Sequence, residues 1–152
     1  MRITAKADYA VRAAVELAAS GGAGPVKADQ IAEAQGIPFN FLENILAELR
    51  RAGIVESRRG ASGGYLLARP AADVSLADVI RAVEGPLANV RGKSPDGLEY
   101  EGSAARLRDV WVALRASVRA VLEQVTLADV ASGDLPPNVA ELTLADDAWV
   151  RR

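Results

Sequence analysis

The chain of 152 residues contains neither cysteine nor histidine. Thiolates and imidazoles are the usual protein ligands of zinc, haem iron and iron–sulfur clusters, so most sites of these kinds are excluded. Cys–His and Ser–His catalytic pairs are excluded for the same reason. The chain also has no nucleophile elbow and no phosphate-binding loop motif. We therefore expect no metal, no cofactor and no enzymatic activity.

A long apolar run is absent as well. A membrane-spanning helix needs about 18 such residues in succession, and no stretch of the sequence supplies them. The start of the chain carries basic residues, but Asp8, Arg12 and Glu16 interrupt any apolar region behind them. We expect neither a signal peptide nor a membrane contact, and a cytoplasmic location. The length predicts one core with an appendage.

Neither sign of charge is in large excess, since the formal net charge is −2. This balance is unusual for a nucleic-acid-binding protein, but the distribution of charge counts for more than the sum. Residues 1–70 contain nine Lys and Arg against seven Asp and Glu, whereas residues 71–152 contain nine against thirteen. Contacts with phosphates are therefore expected in the N-terminal part.

Two helices joined by a tight turn are predicted between Ile31 and Arg51. Gly36-Ile37-Pro38 interrupts the first helix, and four apolar residues then recur at helical spacing. These residues are Leu42, Ile45, Leu46 and Leu49. Gly53 stands where a helix commonly ends in a left-handed residue. The arrangement is typical of a helix-turn-helix.

A β-hairpin follows these helices. Residues 54–57 alternate like a strand, residues 65–67 return, and a loop rich in glycine and arginine joins them. Amphipathic helices over residues 6–19 and after Ser75 add to the same core. The fold class predicted is mainly α, with a winged helix-turn-helix domain over residues 1–86.

The outward face of the second helix carries polar side chains. Asn40, Glu43 and Asn44 lie near its start, and Arg50 and Arg51 near its end. In a major groove, asparagine can pair with adenine and glutamate can accept a hydrogen bond from cytosine. Because any surface helix turns polar residues outward, this helix alone leaves both interpretations open.

The loop of the hairpin favours DNA binding. Arg58 and Arg59 stand beside glycines, which permit close approach to DNA, and arginine is attracted to the negative potential of a minor groove. The alternatives are a solvated basic turn and a nucleotide-phosphate loop. The second is disfavoured, because no G-x-x-x-x-G-K-[ST] is present and no helix starts directly after the glycines.

A long helix is predicted from about Ala104 to Thr126, within a dimerisation segment of residues 104–131. Its apolar residues recur at spacings of three and four, close to a coiled-coil seam. They are Leu107, Val110, Trp111, Leu114, Val118, Val121, Leu122 and Val125. Such a helix spans roughly 30–35 Å, so we expect a second copy to cover its apolar side. The alternative is that it packs on its own chain.

Irregular segments flank the long helix. Residues 87–103 contain three glycines and one proline, which predicts a loop. Residues 132–152 are predicted to form a tail anchored by Leu142, Leu144 and Trp149.

Several segments agree, in one order along the chain, with a single known family. They are Thr4–Ala13, Ile31–Glu33 with Gly36-Ile37, Phe41–Leu46, Leu49–Gly53, Arg58–Gly60 with Gly63–Pro70, Val79–Leu87, Leu107–Trp111 and Thr126–Asp129. Together they cover about residues 2–130. On these residues the chain resembles the Rrf-two family of bacterial transcription regulators, as a member without cysteines.

The resemblance implies a homodimer, joined through the long helix, that binds a palindromic operator in double-stranded DNA, and we expect it to act as a repressor. The implied base-reading residues are Asn40, Glu43 and Asn44. The implied wing residues are Arg58, Arg59, Gly63, Gly64 and Tyr65, with Arg59 and the glycines in the minor groove. The implied phosphate-binding residues are Thr4, Lys6, Tyr9, Arg50 and Arg51, with Arg58 in addition.

One departure from the family bears on regulation. Sensor members carry three cysteines in the loop that corresponds to Val90–Ser103, whereas this chain has none. Asp8 offers a carboxylate, but no residue supplies a thiolate, so a cluster of the family's type is not expected. Sensing is then lost, replaced by another ligand, or supplied by a partner protein.

Two other functions stay open. The first is a regulator of the same fold that responds to an unknown small molecule. Its pocket would lie between the 87–103 loop, the long helix and the winged domain, with Tyr100 and Trp111 as walls, although Trp111 is better explained as a core anchor at the helix seam. The second is a protein–protein adaptor that has lost DNA binding, against which the Arg58-Arg59 loop argues.

Overall fold

The computed structural model describes residues 2–151, so Met1 and Arg152, the ends of the first and last predicted segments, lie outside the described residues. The described chain forms seven α-helices and one two-stranded antiparallel sheet. They are α1 (Ala5–Ala19), α2 (Ala28–Gln35), α3 (Phe39–Arg51), β1 (Val55–Arg58), β2 (Gly64–Leu67), α4 (Leu76–Glu84), α5 (Leu107–Leu122), α6 (Leu127–Ser132) and α7 (Pro137–Leu142). This mainly helical architecture agrees with the predicted fold class. No helix within residues 2–151 has the length and apolarity that a membrane crossing requires.

Helix α1 lies at the centre of the N-terminal core. Its buried face consists largely of alanines, including Ala10, Ala13 and Ala14, and these small side chains let neighbouring helices approach closely. Thr4 caps the helix, since its hydroxyl accepts a hydrogen bond from the Ala7 amide at 3.0 Å. Helices α2, α3, α4 and α6 all pack against α1.

Helices α2 and α3 form the predicted helix-turn-helix. Helix α2 ends at Gly36 in the left-handed conformation (φ 60°), and the next residue, Ile37, is buried. Helix α3 buries the four predicted residues of its inward face and ends before Gly53, which is also left-handed (φ 72°). Pro38 immediately precedes α3 as its N-cap residue.

The hairpin has a third partner that the sequence did not predict. Strands β1 and β2 pair from Val55 opposite Leu67 to Arg58 opposite Gly64. Tyr65 also pairs with Val26, which lies before α2, through two backbone hydrogen bonds of 2.8 Å. The hairpin is therefore fixed to the start of the helix-turn-helix.

Two capped helices close the core from the C-terminal side. Ser75 and Thr126 are the N-caps of α4 and α6, and each exchanges hydrogen bonds with an aspartate three residues later. The two caps pair with each other as an isolated β-bridge. Leu127 of α6 is fully buried in the same core as Leu42 and Ile45. A helix within the segment predicted for dimerisation thus packs in the N-terminal core.

Helix α5 is shorter than predicted. It covers 16 residues, Leu107–Leu122, rather than about Ala104 to Thr126, and at 1.5 Å per residue it spans roughly 24 Å. A 3₁₀ turn, Gly102–Ala104, precedes it. After its end the chain turns inward, and Val125 is only 3% exposed within the single chain. Val125 therefore has no surface to offer a second copy, which corrects its prediction as an interface residue.

The tail is also built differently from the prediction. It contains α7, whose start at Pro137 uses the usual place of proline in a first helical turn. Val139 is buried, whereas the predicted anchors Leu142, Leu144 and Trp149 are all exposed. Asn138 donates a hydrogen bond to the side-chain oxygen of Gln124, which holds the tail near the end of α5.

Candidate nucleic-acid interface

The predicted base-reading residues all lie on the exposed side of α3. Asn40, Glu43 and Asn44 are exposed, while the opposite side of the helix is buried in the core. The Asn44 amide nitrogen donates a hydrogen bond to the Asn40 carbonyl at 3.3 Å, a contact between groups that both remain exposed. The core therefore holds α3 rigidly and leaves these three side chains free for an external partner.

The arginines at the end of α3 differ in their surroundings. Arg50 donates a hydrogen bond from Nη1 to the Ser57 hydroxyl at 3.1 Å, which links α3 to strand β1. Arg51 is exposed, and it has no ion pair with any residue from 2 to 151. The helix and the hairpin are thereby joined at a basic edge.

The predicted wing residues fall into two groups. Arg58 and Arg59 are exposed, and Arg58 makes a long ion pair of 3.5 Å with Glu56. Gly63 is buried, and Gly64 and Tyr65 are half-buried, so these three face the protein. The tip of the hairpin therefore presents its arginines outward.

The two wing glycines are required by contacts inside the protein. A Cβ atom on Gly63 would lie 2.2 Å from the Arg58 carbonyl oxygen, and one on Gly64 would lie 2.5 Å from the Val26 carbonyl oxygen. Gly64 also has a φ of +148°. Close approach between backbone segments inside the protein therefore already demands both glycines, within the hairpin for Gly63 and against Val26 for Gly64, independently of any approach to DNA.

The predicted phosphate-binding residues of α1 all have partners within the chain. The Thr4 hydroxyl caps α1 and donates a hydrogen bond to the Glu84 carboxylate. Lys6 forms an ion pair with Glu48 at 2.9 Å, and the Tyr9 ring packs edge-on against Phe41. The Lys6–Glu48 pair is partly exposed, so it contributes little to stability, and Lys6 can exchange its carboxylate partner for a phosphate at small cost.

Phe41 belongs to the same surface, although its apolar side chain gave no reason to predict it there. It lies one helical turn before Asn44, and 53% of its surface is exposed. Its neighbour Leu42 is fully buried. The signal available in the sequence was an aromatic residue outside the inward-facing set of α3.

The loop before α5 is held by protein side chains. Asp96 lies 2.5 Å from Nη1 of Arg115 on α5, and the Ser94 hydroxyl bonds to both groups. The hydrogen bonds from Ser94 and Arg115 lower the pKa of the Asp96 carboxyl to about 2. Pro95 and Leu98 are buried beside it. The Trp111 indole donates to the Tyr100 hydroxyl at 3.2 Å, so the two predicted pocket walls contact each other.

The helix-turn-helix, the hairpin fixed to it and the exposed faces of both define a winged helix-turn-helix regulator. Its family is identified by a match to a known family model. A family model described as "Rrf2: Iron-dependent Transcriptional regulator" matches residues 3–133. The chain belongs to this family, as its sequence motifs predicted.

Relatives support the same assignment. An HTH-type transcriptional regulator of Mycobacterium tuberculosis is 55% identical over 147 residues, which are 97% of this chain and 90% of the relative. CymR of Bacillus subtilis is 37% identical over 132 residues, 87% of this chain and 91% of CymR. These relatives are regulators and not enzymes, in agreement with the prediction.

Solved structures give the same result for the fold. The structure of B. subtilis CymR, titled the global cysteine regulator of that organism, has a TM-score of 0.75 and 36% identity, and covers 88% of this chain and 98% of CymR. The structure of T. potens IscR has a TM-score of 0.70 and 35% identity, and covers 100% of this chain and 93% of IscR.

The family model's description names iron, and the residues of this chain do not fit an iron–sulfur cluster. The sequence offers no thiolate and no imidazole. Among residues 2–151, no three acidic side chains are grouped so that they could hold a metal ion. The carboxylate of Asp8 is paired with Arg12 at 3.0 Å. The donor set of this chain therefore does not fit a thiolate-ligated iron–sulfur cluster.

Proposed function

We propose that this regulator binds double-stranded DNA as a homodimer, without an iron–sulfur cluster, and recognises a palindromic operator. The observation that carries the proposal is the exposed row of Asn40, Glu43 and Asn44 on a helix whose other side is locked in the core. Their hydrogen-bonding groups suit base edges in a major groove. The arginines Arg58 and Arg59 at the hairpin tip supply positive charge beside the helix.

Dimerisation is proposed through α5. On one side of this helix, Val110 is 54% exposed and Leu114 is 39% exposed, so an apolar surface is left without cover in the single chain. The remaining predicted interface residues on the helix are half-buried and flank this surface. They are Leu107, Trp111, Val118, Val121 and Leu122. A second copy of α5 offers the same surface in return, as a two-fold interface requires.

Repression is the proposed mode of action, because a dimer seated across successive grooves occludes the DNA that it covers. The proposed location is the cytoplasm, where bacterial DNA is found. An adaptor function without DNA binding is disfavoured, since the exposed arginines of the hairpin would then have no role. The proposed domain division remains 1–86 for the winged domain, 87–103 for the loop, 104–131 for dimerisation and 132–152 for the tail, with the addition that Leu127 packs in the winged domain's core.

A response to a small molecule is the second candidate function. A cleft of about 350 Å³ lies between Ala88–Arg91 and the α5 residues Trp111 and Leu114. Two non-glycine residues beside it, Ala88 and Arg91, have left-handed backbone conformations (φ 56° and 53°), and such strain is often found near functional sites. Thermal-shift screening with metabolites tests this function, and unchanged DNA affinity with every metabolite that binds would exclude it.

The DNA-binding proposal is tested by selecting duplexes from a random pool with the purified protein and footprinting the winners. We expect a palindrome whose half-sites lie one or two helical turns apart. Asn44→Ala should relax base preference at one position in each half-site by ~1–3 kcal/mol. Asn138→Ala, which removes an exposed asparagine of the tail, is the matched control and should leave the preference intact. Uniformly weak binding to every duplex, unaffected by Asn44→Ala, would contradict the proposal.

A further inference from the structure

Phe41 is an aromatic side chain on an otherwise polar surface. It lies in the first turn of α3, and slightly more than half of its surface is exposed. Burial of a phenylalanine is favourable, so the exposed half of this side chain contributes nothing to the fold where it stands. Asn44 is three residues later, which places it beside Phe41 on the helix surface.

The position of the Phe41 ring is fixed by a chain of contacts. The ring meets Tyr9 of α1 edge-on, with centroids 6.1 Å apart and planes at 78°. The Arg12 guanidinium lies over the other ring, 4.9 Å from the Tyr9 centroid. Arg12 also donates a hydrogen bond from Nη1 to the carbonyl of Gln35, at the end of α2, at 2.5 Å. The ring is thus held by Tyr9 of α1, and Arg12 links that tyrosine to the end of α2.

A cleft of about 300 Å³ opens beside Phe41. Its lining combines apolar and polar side chains. The apolar ones are Phe41, Ile45 and Ala47, and the polar ones are Lys6, Asn44, Glu48 and Arg51. Lys6 is paired with Glu48, whereas Arg51 has no ion pair among the described residues. Apolar side chains beside an unpaired arginine suit an apolar group carried by an anionic polymer.

We propose that Phe41 contacts the C5-methyl group of a thymine next to the base read by Asn44. This inference rests on the proposed DNA-binding function and specifies one of its base contacts. The thymine methyl is the apolar group among the base edges of the major groove, and phenylalanine is one of the side chains that contact it. The ring therefore acts as a specificity determinant that prefers thymine at one position in each half-site.

The test uses the duplex that the wild-type protein selects from a random pool. Each thymine is replaced in turn by uracil, which lacks the methyl group and keeps the same hydrogen-bonding groups. Replacement at the contacted position in one half-site should raise the dissociation constant roughly fourfold, the factor expected for burial of one methyl-sized group. If no uracil replacement changes the affinity of the wild-type protein, the inference is wrong while the DNA-binding function stands.

Variants then assign the effect to a residue. With Phe41→Ala, the ratio of dissociation constants for the uracil and thymine duplexes should fall from about four to about one. This ratio compares two duplexes with one protein, so it does not depend on the fraction of the variant that is folded. Phe39→Ala removes another exposed phenylalanine of the same helical turn and should keep the ratio.

The remaining outcomes distinguish failure of the thymine contact from failure of the DNA-binding function. If Phe41→Ala weakens binding equally for the thymine and uracil duplexes, the ring supports the fold or the DNA backbone and the inference is overturned. If the wild-type protein selects no duplex at all, the DNA-binding function fails and the inference fails with it.

Discussion

The substitution Leu114→Glu tests the proposed dimer most directly. Leu114 lies on α5, is 39% exposed in the single chain, and has Val110 one turn before it with 54% of its surface exposed. In a two-fold interface each residue occurs twice, so one substitution changes two positions of the contact. The exposed part of Leu114 faces away from its own chain, whereas its covered part lies beside the Ala88–Arg91 segment.

The magnitude follows from the exposed fraction. Full burial of a leucine side chain contributes about 1.5–3 kcal/mol. Covering the exposed 39% in both copies would therefore contribute about 1–2 kcal/mol to association. Leu114→Ala should raise the dimer dissociation constant roughly 5- to 30-fold. Leu114→Glu adds two unpaired carboxylates to an apolar contact, which costs several kcal/mol more and should leave monomers at micromolar concentration.

The assay is sedimentation equilibrium, with DNA affinity measured on the same samples. Ala116→Glu is the matched control, because it adds the same charge to an exposed position on the other side of α5. We expect the control to remain dimeric and Leu114→Glu to lose both self-association and tight operator binding. A wild-type protein that is monomeric at these concentrations, or a Leu114→Glu variant that stays dimeric, would refute the assignment of this surface.

Three further predictions concern the hairpin and the loop. Gly64→Ala should lower the unfolding free energy by about 1–3 kcal/mol in denaturant titrations, because its Cβ would collide with the Val26 carbonyl, whereas Gly97→Ala, with open space around it, should be tolerated. The pKa of Asp96 is about 2 in the folded protein against an ordinary value of 3.8, so its stabilising contribution is complete above about pH 4 and is lost as the pH falls towards 2. Unfolding of the wild type should show this decline, and Asp96→Asn should lack it. Arg59→Ala should weaken binding to all duplexes and reduce the slope of log affinity against log salt by about 1, measured by titration at several salt concentrations.

The helix-turn-helix is predictable from the sequence because apolar residues recur on one side of each helix and glycines mark the helix ends. The inward face of α3 repeats at helical spacing, and Gly36 and Gly53 mark the ends of α2 and α3 because both stand in the left-handed conformation. The exposed positions of Asn40 and Asn44 follow directly from that inward face. Such features depend on residues within a few turns of each other, so no knowledge of the tertiary fold is needed.

Features that depend on distant contacts were not predictable in the same way. Val125 continues the apolar spacing of α5, yet the chain leaves the helix before it, and its carbonyl accepts a hydrogen bond from the Leu76 amide at 2.9 Å. Leu127 likewise belongs to the N-terminal core although some forty residues separate it from α4. An apolar residue in a periodic pattern can be covered by its own chain or by a second copy, and spacing alone does not distinguish the two.

In this chain the loop before α5, which carries three cysteines in the sensor members of the family, is held by hydrogen bonds and an ion pair. Here Asp96 is fixed to Arg115 on α5, and the buried Pro95 anchors the segment between Asp96 and the Ser94 hydroxyl. In this pair the Arg115 side chain is only 16% exposed, whereas the Asp96 side chain is 65% exposed. The Trp111–Tyr100 hydrogen bond joins the same loop to α5 at a second point. The cleft beside Ala88 and Arg91, two non-glycine residues in left-handed conformations, lies against the same helix at Trp111 and Leu114.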